Sequence, residues 1–107
     1  MAPRKPIPHP PAPVDPRDPV EQLRQAAQCI SDRAAQRDLP EGERSMARAV
    51  ATFNTLTGHE LSERDGWVFM NILKLSRAQN NAETGAPVNL DDYIDGAAYM
   101  ALAGEVA

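Results

Sequence analysis

Asp65-Gly66-Trp67-Val68-Phe69-Met70-Asn71-Ile72-Leu73-Lys74-Leu75-Ser76-Arg77 is the stretch on which the reading of this chain turns. It holds the only Trp, one of the two Phe and most of the large aliphatic residues of the second half. Ser62, three residues before Asp65, completes a capping-box pattern, so the stretch opens a helix. Trp67, Val68, Phe69, Met70, Ile72, Leu73 and Leu75 cover most of its circumference. So apolar a helix predicts burial, with the other segments packed around it. One narrow polar line is left: Asn71, Lys74 and Arg77, spaced i, i+3, i+6, with Ser76 beside it. On a central helix that line must meet water, a partner charge or a ligand.

The rest of the chain supplies helices to pack on it. Asp18 is an N-cap residue, Pro19 suits the first helical position, and Glu21 sits where a capping box wants an acid. Leu23, Ala27, Ile30 and Ala34 repeat at helical spacing, with Arg24, Gln28, Asp32 and Gln36 turned away. Asp38-Leu39-Pro40 ends that helix. A turn from Pro40 to Met46 leads to a second helix, with Met46, Val50, Phe53 and Leu56 or Thr57 inward and Gly58 as its C-terminal cap. Gln79 to Leu90, with Asn, Gly and Pro, reads as a twelve-residue loop. Asn89 or Asp91 caps a fourth helix, whose first-turn acids suit the helix dipole. Gly96, Ala97, Ala98, Ala101, Ala103 and Gly104 are small enough to let a neighbouring helix approach closely. No segment alternates with the period of a strand. The expectation is all-α: a compact three- to four-helix bundle, one helical domain over residues 18–107.

Eight of the ten prolines fall in the first nineteen residues, so residues 1–17 read as a disordered Pro-rich leader. The net charge is −4, and residues 78–107 carry five acids and no base. That balance argues against a nucleic-acid footprint, which needs clustered Lys and Arg. The third helix is also too apolar all round for a DNA-reading helix. Cys29 is alone, so it forms no disulfide within the chain. No apolar run approaches the ~18–20 residues of a membrane span, and prolines interrupt any signal-peptide core. A soluble intracellular protein is expected.

The strongest polar constellation joins Lys74 and Arg77 to Asp91, Asp92 and Asp95 at the start of the fourth helix. Asp92 and Asp95 are i, i+3 and share a face. An antiparallel return would set them beside the third helix. One reading is an interhelical salt-bridge cluster with Tyr99 hydrogen-bonded under it. The other is a polyanion pocket, in which Lys74, Arg77, Asn71 and Tyr99 meet a phosphate or nucleotide with Asp92 and Asp95. Two acids make a poor Mg²⁺ site unless Glu43, Glu41 or a second subunit completes it. His9, His59 and Cys29 lack zinc-ligand spacing, and no Ser sits in a nucleophile elbow.

Several ordered motifs carry a resemblance. They are Glu41-Gly42-Glu43-Arg44-Ser45-Met46, Phe53-Asn54, Thr57-Gly58, Gly66-Trp67-Val68-Phe69-Met70, Lys74-Leu75-Ser76-Arg77 and Asp92-Tyr93-Ile94-Asp95-Gly96-Ala97-Ala98-Tyr99. Together, over about residues 40–105, they resemble a family of small phage and prophage proteins of unknown function. Lys-x-x-Arg followed by Asp-x-x-Asp-x-x-x-Tyr is also similar to phage nucleotide-modification-associated domains and to MazG-like nucleoside triphosphate pyrophosphatases. In the latter, Asp92 and Asp95 would match the acidic pair of the later metal-binding helix. The chain departs from that pattern where the preceding helix should supply Glu-x-x-Glu, because Lys74 and Arg77 stand there.

The resemblance therefore implies a phage or prophage accessory protein in the bacterial cytoplasm. It would act by binding a nucleotide-like anion or a host protein, and the reading leans away from catalysis. A divergent pyrophosphatase and a structural homo-oligomer without ligand are the alternatives. The thin first helix and the small-residue fourth helix favour a homodimer.

Overall fold

A computed structural model describes residues 13–37 and 45–107. Most of the Pro-rich leader and the turn from Asp38 to Arg44 lie outside these residues. Among the described residues the chain forms four helices and no strand. They are α1 (Pro19–Arg37), α2 (Ser45–Thr57), α3 (Glu63–Thr84) and α4 (Leu90–Glu105). The all-α bundle expected from the sequence is what forms, but its centre is elsewhere.

The helix starts follow their caps. Asp18 Oδ1 accepts the Val20 N–H at 2.8 Å and the Glu21 N–H at 3.3 Å. Ser62 Oγ accepts the Asp65 N–H at 3.1 Å, and Asp65 Oδ2 accepts the Ser62 N–H at 2.9 Å, the reciprocal capping box. Asn89, not Asp91, caps α4, its Oδ1 accepting the Asp91 N–H at 3.1 Å. Gly58, at φ 77°, ends α2 in a left-handed conformation that favours glycine. Asn54 then ties the following turn to α2, holding both the N–H and the C=O of Leu61 at 2.9 Å.

α3 runs past its expected end. The expected loop from Gln79 shrinks to residues 85–89, with Gly85 as a left-handed cap. Polar composition misled here. Gln79 and Glu83 bond each other one turn apart at 2.9 Å, and Asn81 is half-buried, so tertiary contact outweighs the loop-like composition.

α4 is the central helix. It packs against α3 on one side and α1 on the other, while α2 leans on α3. Ile94, Ala98, Tyr99, Leu102 and Ala103 are all buried. One cluster joins Trp67 to Tyr99, Leu102 and Ala103, and the other joins Ala26 of α1 to Ile94 and Ala98. Trp67 and Tyr99 stack with ring centroids 5.8 Å apart.

Three expectations of burial fail together. α3 is not surrounded: Phe69 is 66 % exposed, Ile72 53 % and Leu75 58 %. On α2, Val50 is buried, but Phe53 and Leu56 face out. On α1, Ala26 is buried, while Leu23 and Ala27 are exposed. α4 presents Gly96, Ala98 and Ala103 to its two neighbours, so α3 and α1 come close through residues such as Asn71 and Ala26 and turn others outward. α2 packs on α3 alone, so no second described helix covers its outer side.

Gly66 marks such an approach. A Cβ there would collide with Met46 Sδ and meet Val50 Cγ2 at 2.8 Å. Gly66→Ala gains about 1 kcal/mol of helix propensity but overpacks this crossing at a cost of ~1–3 kcal/mol. Denaturant unfolding is expected to show net destabilisation. Bonds from the Ser62 backbone and hydroxyl hold the Asp65 carboxyl below its ordinary pKa. Its stabilising contribution is present above the unfolded-state pKa and is lost as pH falls through the folded one. Asp65→Asn is expected to flatten that acid limb of an unfolding titration.

Candidate functional site

The polar line of α3 turns inward, onto α4. Lys74 Nζ and Asp95 Oδ2 are 2.9 Å apart, with 13 % and 21 % of their side chains exposed. Asn71 sits directly over Gly96, where a Cβ would come within 2.8 Å of Asn71 Oδ1. A side chain at Gly96 would have to displace the Asn71 amide. The sequence marks Gly96 only as one of the small residues of α4, and the structure shows that the glycine makes room for Asn71.

Beside this contact runs a shallow groove of about 190 Å³. Asn71, Lys74 and Asp92 supply its polar lining, and Leu75, Tyr93 and Met100 are among its apolar walls. The sequence reading did not include Tyr93 or Met100. Their place one helical turn either side of Gly96 was the available signal.

Asp92 is the most unusual group. It is 5 % exposed, the one buried charged residue among those described. No hydrogen bond or ion pair to its carboxylate is found among the described residues. Lys74 reaches Asp95 and not Asp92. The N-terminal dipole of α4 offsets part of the desolvation, since Asp92 lies in the first turn. It supplies no donor, and a buried carboxylate ordinarily has one. The Asn71 amide is also without a hydrogen-bond partner among the described residues.

The structure separates the other expected site residues. Arg77 is exposed, has no ion pair among the described residues and does not line the groove. Tyr99 is buried at the meeting of all four helices, against Trp67, with the Arg33 guanidinium 5.4 Å over its ring. One turn along α4 from Asp95, it makes no hydrogen bond to the Lys74–Asp95 pair among the described residues and lines a second hollow with Arg33, Met46 and Met70. Asp91 is exposed. Glu43, the third ligand expected for a metal, lies outside the described residues. Among those described, no three His, Cys, Asp or Glu side chains are grouped to hold a metal ion, and no helix is long and apolar enough to cross a membrane.

The Lys74–Asp95 pair is buried enough that breaking it leaves a poorly hydrated charge. Lys74→Met is expected to destabilise the chain by about 2 kcal/mol. Lys74→Met with Asp95→Leu is expected to recover most of that loss, because the double variant leaves no orphan charge. Urea unfolding of the two variants measures the coupling.

No curated protein and no solved structure matches the chain. The model of DUF6378, a domain of unknown function, matches residues 21–107. That span takes in all of α2, α3 and α4 with the groove between the last two, and the chain belongs to the DUF6378 family.

Proposed function

We propose that this protein acts by binding, and that its ligand is a nucleotide-like anion seated in the α3–α4 groove. The observation that carries this is Asp92: a carboxylate held out of water that makes no hydrogen bond or ion pair among the described residues. Such a group costs stability unless something supplies the missing hydrogen bond. A sugar hydroxyl or a base N–H is a donor of the right kind. The Asn71 amide beside it both donates and accepts, which suits a base edge. Tyr93, Leu75 and Met100 offer an apolar wall for a flat ring. Lys74 is the cation within this lining, and a phosphate at the groove edge would share it with Asp95.

At about 190 Å³ the groove is smaller than the ~300–1,000 Å³ of sites that enclose a whole drug-sized molecule. It fits a base or sugar, with the phosphates left at the surface. The resemblance to phage and prophage proteins agrees with an accessory role near nucleotide metabolism. Catalysis has less support. Lys74 occupies Asp95, so the two acids of α4 are not equally available to a metal.

A second reading rests on that same ion pair. At 2.9 Å and mostly buried, Lys74–Asp95 fixes the register of α3 on α4 whether or not a ligand binds.

A thermal-shift panel of nucleoside mono-, di- and triphosphates, with and without Mg²⁺, separates the two. Binding is expected to raise the melting temperature by about 5 °C at saturating ligand. Asp92→Asn is expected to abolish the shift while leaving the free chain as stable or more so. No shift across the panel, or a shift indifferent to Asp92→Asn, overturns the proposal and leaves the structural reading.

A further inference from the structure

We infer that the outer face of α3 is the contact surface of a symmetric dimer of this chain. Phe69, Ile72 and Leu73 stand at i, i+3 and i+4, so they share one face of α3. They are 66 %, 53 % and 38 % exposed, with Leu75 at their flank 58 % exposed. None of the three belongs to either buried cluster, and Phe69 and Ile72 leave more than half of their surface open, Leu73 less.

The protein is short of core without a partner. Eight hydrophobic residues are buried among those described, three of them alanines, against thirteen large hydrophobics left exposed. A domain this small has little stability to spare for that imbalance. The size of the face suits a second copy. Each large apolar side chain at these exposures leaves on the order of 100 Å² in water, so the four on α3 offer ~400 Å². A stable homodimer buries ~800 Å² per partner, about 65 % of it apolar. α2, which packs on α3, also exposes Phe53 and Leu56, one turn apart.

The pattern along α3 is self-complementary. Set a second α3 antiparallel, with the twofold axis between Ile72 and Leu73. Ile72 then meets Leu73 of the other copy, and Phe69 meets Ser76, a large side chain over a small one. Between Asp65 and Glu83 the only charges on α3 are Lys74, turned to α4 and paired, and Arg77. Asp65 lies one turn before Phe69, and Arg77 one turn after Leu73. In the antiparallel register each Arg77 falls three residues, about 4.5 Å along the axis, from the position opposite Asp65 of the other copy. The pairing closes twice by symmetry and gives Arg77 the partner it lacks within the described part of its own chain.

The full chain is tested by light scattering coupled to size exclusion, and by sedimentation across a dilution series. The mass of two chains is expected, falling to one for Ile72→Glu with helical circular dichroism retained. Leu23→Glu, at an exposed position on α1, is expected to stay dimeric. Arg77→Glu is expected to raise the dimer Kd about tenfold, most at low salt. Ile72→Cys in a Cys29→Ala background is expected to cross-link two chains on mild oxidation, a readout that survives if Ile72→Glu does not fold. A monomer at all concentrations, or Ile72→Glu remaining dimeric, overturns the interface. An unchanged Kd for Arg77→Glu overturns the antiparallel register.

Discussion

Gly96 and Asn71 occupy the same few ångströms, and the architecture follows from that closeness. A Cβ on Gly96 would press on Asn71 Oδ1, at 2.8 Å. α3 can approach α4 this nearly only if both offer little bulk at the crossing. α4 does so along its length, through Gly96, Ala98 and Ala103, and so can be covered on two sides within a small chain. Trp67 and Tyr99 stack where the helices leave room for large rings, with centroids 5.8 Å apart. α1 reaches the opposite side through Ala26, again a small residue.

Close packing through small residues explains why the large ones are left out. A helix that meets its neighbour through Asn71, Lys74 and Ala78 must point Phe69 and Ile72 the other way, because successive turns repeat the same face. The polar line and the apolar face of α3 are therefore inverted relative to an ordinary core helix. A buried polar line demands satisfaction, which Lys74 finds in Asp95. Asp92 and Asn71 find none among the described residues. An exposed apolar face demands cover. The groove and the dimer surface are neighbouring flanks of one helix that meet at Leu75, and they arise from one packing choice.

Much of this was legible in the sequence, for reasons that differ by residue. The caps were readable because they depend on local spacing: Asp18, Ser62 with Asp65, Gly58 and Asn89 all act within a turn of themselves. The pairing of Lys74 with the acids of α4 was readable because opposite charges on consecutive antiparallel helices find each other. Which side of α3 faces inward was not. Apolar residues cover so much of that helix that periodicity gives no single direction. The deciding factor was the bulk of α4, a residue-by-residue steric fit to a segment twenty residues away. The end of α3 was misread because Gln79, Asn80 and Asn81 have loop-like composition, yet Asn81 is held against its neighbours. Tyr99, read as hydrogen-bonded under the ion pair, instead stacks on Trp67 and makes no such bond among the described residues.

A cross-link reports which side of α3 faces α4. A Cβ on Gly96 would lie 3.9 Å from Lys74 Cβ, close to the mean Cβ separation of ~3.8 Å in disulfides. Lys74→Cys with Gly96→Cys, in a Cys29→Ala background at high dilution, should close a disulfide within one chain on mild oxidation. Rapid closure is expected for that pair and none within the chain for Ile72→Cys with Gly96→Cys. Closure of the Ile72 pair and failure of the Lys74 pair would mean that α3 buries its apolar side after all, and would contradict the inversion of α3.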